Sequence, residues 1–195
     1  MRIFGVILAG GESRRMGSDK AFVPLASRPL IAHVLNRLAP QVDAILISAN
    51  RDPERFASFG CRVIPDAKPQ GPLSGILAAL IHAAEQGATH IVSCPVDTPF
   101  LPADLVPQLV RAAEHSPNGL AFAGDETGDH PATAVWPVAL VPALAAFLGR
   151  GEAKVTRFTA AQQATRALFP DPQVFLNVNS PFDLAAAEAL LKGAA

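Results

Sequence analysis

Cysteine is nearly missing from this 195-residue chain: there are two, Cys61 and Cys94, far apart and at no metal-ligand spacing. Each lies in or beside an apolar, strand-like run, where a small buried thiol is the simplest expectation. Nothing points to a disulfide framework or an oxidising compartment. A charge excess is also lacking. The formal net charge is −1, whereas a general nucleic-acid binder normally carries a basic surplus. No long apolar run occurs either. The most apolar window, Ala132 to Leu148, is cut by Pro137 and Pro142 and falls short of the ~20 residues of a membrane span. Arg2 followed by Ile3 to Leu8 imitates a signal peptide, but the apolar stretch is short and Glu12, Arg14 and Arg15 stand where cleavage would occur. The expectation is a cytoplasmic protein that engages neither membrane nor nucleic acid.

Two common nucleotide signatures are missing as well. No G-x-x-x-x-G-K-[ST] occurs, since Gly11 and Gly17 are one residue too far apart, and there is no G-x-G-x-x-G. None of the five histidines pairs at metal-ligand spacing. His33 and His82 fall in helical patterns and read as packing or surface residues, while His130 stands apart in Gly128-Asp129-His130-Pro131.

What is present begins at residue 8. An apolar run, Ile3 to Leu8, leads into Leu8-Ala9-Gly10-Gly11-Glu12-Ser13-Arg14-Arg15-Met16-Gly17-Ser18-Asp19-Lys20. Paired glycines after a strand can expose consecutive backbone N–H groups as an anion-binding nest. Arg14, Arg15 and Lys20 add the charge that phosphates require. Residues 1–37 hold six basic and two acidic side chains, a local balance of +4 on a near-neutral protein. That pattern suits a small polyanion better than a duplex.

Half the residues are apolar and 17% are charged, enough for one domain over residues 1–195 with a sizeable core. Candidate strands are 3–8, 43–49, 62–64, 89–94, 119–124, 131–136, 166–169 and 174–178. Apolar spacing of three and four predicts helices over 29–38, 73–86, 103–114, 139–148, 153–163 and 181–192, with a short helix at 53–58. This alternation predicts an α/β fold whose mainly parallel, mixed sheet carries helices on both faces. Pro29, Pro72, Pro102 and Pro181 suit first helical turns. Ser180-Pro181-Phe182-Asp183 reads as a helix cap. Strands 119–124 and 131–136, joined by Asp125 to His130, suggest an antiparallel pair. The expected division is a nucleotide-binding half followed by an acceptor-binding half.

In such a sheet ligands sit beyond the carboxyl ends of the strands. The residues there are Gly10, Gly11, Arg14, Arg15 and Lys20, then Ser48 and Asn50, then Asp66, then Asp97. Asp97, in Cys94-Pro95-Val96-Asp97-Thr98-Pro99, is a carboxylate between rigid prolines. Beside a phosphate site it would hold Mg²⁺; a turn or capping role is the alternative. Asp66, after Ile64-Pro65, reads equally as a turn. Asn177 and Asn179 are two apart, so an extended backbone would point both amides to one face. There they could bond a heterocycle, although fixing a loop is the commoner role.

Leu8-Ala9-Gly10-Gly11, Arg14-Arg15-Met16-Gly17 and Asp19-Lys20 together resemble the signature of molybdenum cofactor guanylyltransferases. The resemblance continues in Gly71-Pro72-Leu73-Ser74-Gly75, Cys94 to Pro99, Asp129-His130-Pro131 and Phe175 to Pro181, so it spans nearly the whole chain. It implies a Rossmann-like, three-layer nucleotidyltransferase fold. It further implies transfer of GMP from GTP to a molybdopterin-type cofactor, with pyrophosphate released and Mg²⁺ required, Mn²⁺ being the alternative metal. Carried over, Leu8, Ala9, Gly10, Gly11, Arg14, Lys20, Asp66, Gly71, Pro72, Leu73 and Asp97 bind the nucleotide. Lys20, Arg15 and Asp97 are catalytic, Asp97 holds the metal, and Asp129, His130, Asn177 and Asn179 face the acceptor. Molybdoenzyme chaperones and cofactor-synthesis enzymes are the implied protein partners. One departure stands out: Ser48-Ala49-Asn50 replaces the family's frequent Asn-Ala-Asn, and a serine hydroxyl could take the first amide's place. The rival readings are the sister enzyme using CTP, whose members tend to carry Leu-Ala-Ala-Gly, and a non-catalytic nucleotide-binding carrier.

Overall fold

The chain's apolar strands are buried on both faces, as a sheet covered by helices requires. A computed structural model describes residues 1–10, 20–66, 68 and 70–193. Gly11, Arg14 and Arg15, expected in the phosphate loop, lie outside the described residues. In chain order the elements are β1 (Ile3–Leu8), β2 (Pro24–Leu25), β3 (Arg28–Pro29), α1 (Leu30–Leu38), β4 (Ala44–Ser48), β5 (Arg62–Ile64), α2 (Pro72–Glu85), β6 (His90–Pro95) and α3 (Leu105–Ala113). Then follow β7 (Ala121–Gly124), β8 (Asp129–Pro137), α4 (Val141–Gly149), α5 (Val155–Ala161), β9 (Thr165–Leu168) and α6 (Pro181–Gly193).

Seven strands form one sheet in the order β5-β4-β1-β6-β8-β7-β9. β8 alone runs antiparallel to both its neighbours; every other pairing in this sheet is parallel. The expected mixed, mainly parallel sheet is therefore present. The carboxyl ends of β1, β4, β5, β6 and β7 consequently share one rim with the start of β8.

Alternate side chains build two cores. Ile7, Ile47 and Val92 face Val34, Leu38, Leu105 and Leu109 of α1 and α3. Val6, Leu46 and Ile91 face Ile76 and Leu80 of α2 together with Trp136, Leu144 and Phe158. Full burial of each such side chain contributes about 1.5–3 kcal/mol. Gly5 lets α1 lie close to β1, since a Cβ there would stand 2.8 Å from Leu38 Cδ2. One polar chain crosses the second core: Trp136 Nε1 donates to Ser93 Oγ at 2.8 Å, and that hydroxyl donates to Ala132 O at 2.7 Å. It ties β8 to β6 just below the rim.

Three expectations need correction. Residues 174–178 are not a strand. Asp171 accepts from Gln173 N at 2.9 Å and opens a 3₁₀ turn over Pro172–Phe175, and a proline with no N–H to give suits that turn rather than a ladder. The β2–β3 hairpin has no counterpart among the expected strands. Its turn places Ala26 and Ser27 at φ +48° and +66°, a conformation usually announced by glycine or asparagine. Pro72 and Pro181 do open helices, but Pro29 precedes α1 in extended conformation, φ −63° and ψ 147°, and Pro102 lies ahead of α3. The cap of α6 is as read: Asp183 N donates to Ser180 Oγ at 3.2 Å, and the Asp183 carboxylate accepts from Ser180 Oγ at 2.9 Å.

Candidate active site

A cleft of about 220 Å³ opens at the rim, lined by Leu8, Ala9, Gly10, Lys20, Ser48, Asp66, Gly71, Pro72, Gly75, Pro95, Val96, Asp97 and Ala132. These residues come from the ends of β1, β4, β5 and β6, the 3₁₀ turn over Lys20–Phe22, the start of α2, and β8 near its first residue. Four separate sequence signals thus converge on one cavity, as the crossover rule for parallel sheets requires.

Asp97 is fixed before its side chain does anything. Val96 N donates to Leu8 O at 3.2 Å, and Val178 N donates to Asp97 O at 2.8 Å. Its carboxylate Oδ2 lies 2.9 Å from Lys20 Nζ. Lys20 also donates to Asn179 Oδ1. Lys20 opens a 3₁₀ turn whose Ala21 is fully buried. Phe22 of that turn packs on Phe56 at 5.0 Å, with the Arg55 guanidinium 3.9 Å from its ring centre. The lysine therefore reaches into the cleft from an immobilised turn.

Asp66 is held differently. Its N–H donates to Asn50 Oδ1 at 2.8 Å. The Ser74 hydroxyl lies 2.9 Å from Asp66 Oδ2 and 2.8 Å from Gly71 O, accepting from Gln70 N at 3.0 Å. Asp66 Oδ1 is buried with no hydrogen-bond partner among the described residues. A carboxylate oxygen left in that state costs free energy unless a ligand supplies the missing donor or cation. Gly71 takes φ +76° at the start of α2, where a side chain would be strained. Gly75 sits against Ser48: a Cβ there would lie 2.3 Å from Ser48 Oγ. Ser48 is thus the cleft floor beneath α2.

Not every expected contact lines the cavity. Leu73 is fully buried in the core and is absent from the cleft lining. The Ala9 N–H is already bonded to Ser48 O at 2.9 Å, so it is not free to meet a ligand. Asn177 accepts from Thr98 Oγ1 at 3.3 Å, and with Asn179 it runs beside the Asp97 loop despite lacking strand structure. Asp129 pairs with Arg166 at 2.6 Å. His130 lies 2.7 Å from Asp125 and stacks on Phe175 with ring centres 4.5 Å apart. Asp125, Ser74 and Arg166 were not singled out for the site in the sequence. Only Asp125 offered a local clue, as an aspartate two residues before a threonine at a hairpin turn.

A profile described as a MobA-like NTP transferase domain matches residues 5–167. A protein of Cereibacter sphaeroides named molybdenum cofactor guanylyltransferase is 54% identical over 98% of both chains. The chain belongs to this family. A Rhodobacter capsulatus protein of the same name is 47% identical, again over 98% of each chain. Among solved structures, molybdopterin-guanine dinucleotide biosynthesis protein A from Archaeoglobus fulgidus shares the fold at 22% identity, with a TM-score of 0.77 over 97% of this chain and 99% of its own. This guanylyltransferase family member shares that neighbour's fold and places its own cleft at the rim of a three-layer α/β scaffold.

The donor set can be tested against a divalent ion. Among the described residues no three His, Cys, Asp or Glu side chains form a metal cluster. Two carboxylates nevertheless share the cleft, and one of them has a buried oxygen that no described residue satisfies. Hard oxygen ligands few in number suit Mg²⁺, which completes its shell with phosphate oxygens and water. The residues fit the ion. Elsewhere, burial pushes the Cys94 and Cys61 thiols up, away from reactivity, and both cysteines are free. Among the described residues no helix is long and apolar enough to cross a membrane.

Proposed function

We infer that this protein transfers GMP from GTP to molybdenum-molybdopterin cofactor, forming the guanine dinucleotide cofactor and pyrophosphate. The observation that carries this reading is the 54% identity over 98% of both chains with a relative named for that activity. The cleft at the rim, with Lys20, Asp66 and Asp97 among its lining residues, supports it.

The acceptor's terminal phosphate is the nucleophile. With a second pKa of about 6 it is mostly dianionic at neutral pH, so no side-chain base is needed. It attacks the α-phosphorus of GTP, and the bond from that phosphorus to the β-phosphate oxygen breaks, the electron pair leaving with pyrophosphate. The protein's work is to bring two anions together in line and to stabilise charge on the transferring group. Lys20 donates to the triphosphate, its position set by Asp97 and Asn179. Gly10 and its neighbours let the phosphates approach the backbone. Asp97 would hold Mg²⁺, with Asp66 lining the same cleft, and the ion would supply Lewis-acid neutralisation of the phosphates. The segment Gly71 to Gly75 borders the base, and Ser48 stands beneath it.

The chain then divides as its topology suggests. Residues through β6 serve the nucleotide, while Asp129, His130, Asn177 and Asn179 serve the pterin. Pyrophosphate release measured with GTP or CTP, with and without the acceptor, tests the reading. Release should need GTP, acceptor and Mg²⁺ together. Equal or faster release with CTP would identify the sister activity, and GTP binding without release would identify a carrier.

A further inference from the structure

Asp125 follows the end of β7 and is 1% exposed, yet the transfer derived above makes no use of it. Its Oδ1 accepts from Thr127 N and Thr127 Oγ1 at 2.6 Å each and from Gly128 N at 3.0 Å. Its Oδ2 lies 2.7 Å from His130 Nε2. Burial alone would raise this carboxyl, but the bonds from Thr127 and His130 outweigh it and hold the group down at about 2. Arg166 clamps the turn from outside. It donates from Nη2 to Asp125 O and to Gly128 O, the latter at 3.2 Å, and from Nε to Asp129 at 2.6 Å.

The His130 ring is thereby fixed on an edge and a face. The edge is Nε2 on the carboxylate. The face is Phe175, itself braced by Phe169 at 5.2 Å. An ionised carboxylate only accepts, so in the neutral ring Nε2 carries the proton and Nδ1 holds the lone pair. No described residue bonds Nδ1, and the side chain is 20% exposed. Ala132, two residues on, lines the cleft. Between them the β7–β8 ladder is interrupted, three β8 residues lying between the partners of Phe122 and Ala123. Such bulges re-aim side chains beside functional sites.

The geometry points to Asp125 as a positioning residue that holds the His130 proton on Nε2, so that Nδ1 accepts a hydrogen bond from a ring N–H of the pterin acceptor. The inference rests on the reading above that His130 faces the acceptor. Asp125→Asn is nearly isosteric and keeps an oxygen for the Thr127 and Gly128 donors. Its amide would donate to Nε2, moving the ring proton to Nδ1 and setting donor against donor.

Nitrogen-15 NMR of the His130 ring, followed through pH until the ring is neutral, should find the proton on Nε2 in the wild type and on Nδ1 in Asp125→Asn. The wild-type spectrum stands whatever the variant does to folding. In kinetics, Asp125→Asn should raise the acceptor KM about tenfold and leave the GTP KM within about twofold. In a His130→Ala background it should add nothing. A wild-type proton on Nδ1, an Asp125→Asn effect that persists without His130, or an equal rise in the GTP KM would overturn the proposal. A His130→Ala variant with unchanged acceptor KM, beside the expected spectrum, would show instead that His130 does not face the acceptor, and the proposal would fall on that separate ground.

Discussion

Gly75→Ala should damage catalysis far more than folding. The added Cβ would lie 2.3 Å from Ser48 Oγ and 3.4 Å from Ser48 Cβ. Ordinary carbon–oxygen contact is about 3.4 Å, so the first turn of α2 or the serine must yield by about 1 Å. Overpacking of this kind costs about 1–3 kcal/mol, while replacing a helical glycine with alanine returns about 1 kcal/mol. The net loss of stability is about 0–2 kcal/mol. Both partners line the cleft, however, and a displacement of about 1 Å in a positioning element can cost a hundredfold in rate. Urea unfolding and kcat/KM for GTP, measured on the same preparation, separate the two effects. Ser48→Ala removes the offending oxygen and leaves the 3.4 Å carbon contact, which is tolerable. The double variant should therefore match Ser48→Ala alone. Wild-type kinetics in Gly75→Ala, or a double variant no better than Gly75→Ala, would refute the reasoning.

Asp97→Ala should lower turnover about a hundredfold or more, as removal of transition-state charge stabilisation does, with the circular dichroism spectrum unchanged; near-normal transfer at saturating Mg²⁺ would deny its role. Lys20→Ala removes a charged donor worth about 1.5–3 kcal/mol and should raise the GTP KM at least tenfold, with unchanged constants counting against it. Asp125 is held near 2 from an ordinary 3.8, so its ionised form stabilises the fold above pH 4 and that contribution disappears as pH falls towards 2. The loss is about 2 kcal/mol, and Asp125→Asn should not show it. The single, fully buried Trp136 reports the acid transition by fluorescence.

The cleft was legible because parallel topology turns sequence order into a spatial rule. Lys20, Asp66 and Asp97 lie past three strand ends, and the same rim gathers them. The segments around Asn177 and Asp125 were less legible. The expected strand over 174–178, with Asn177 near its end and Asn179 just past it, gives way to a 3₁₀ turn that runs to Phe175, yet both asparagines lie beside Asp97 because Val178 bonds its carbonyl. Asp125 escaped notice because its importance comes from partners at residues 127, 130 and 166, the last brought near only by the β7–β9 pairing. The β2–β3 turn escaped because Ala26 and Ser27 adopt positive φ without the usual residues. Local chemistry announces strand ends and caps; contacts made across the sheet do not.

Following isotopic label through the reaction tests the central claim most directly. GTP labelled at the α-phosphate should pass its label to the pterin product, and GTP labelled at the γ-phosphate should deliver it to pyrophosphate, both only with Mg²⁺ and acceptor present. Label from the α-phosphate recovered as free GMP, or none transferred at all, would contradict the account.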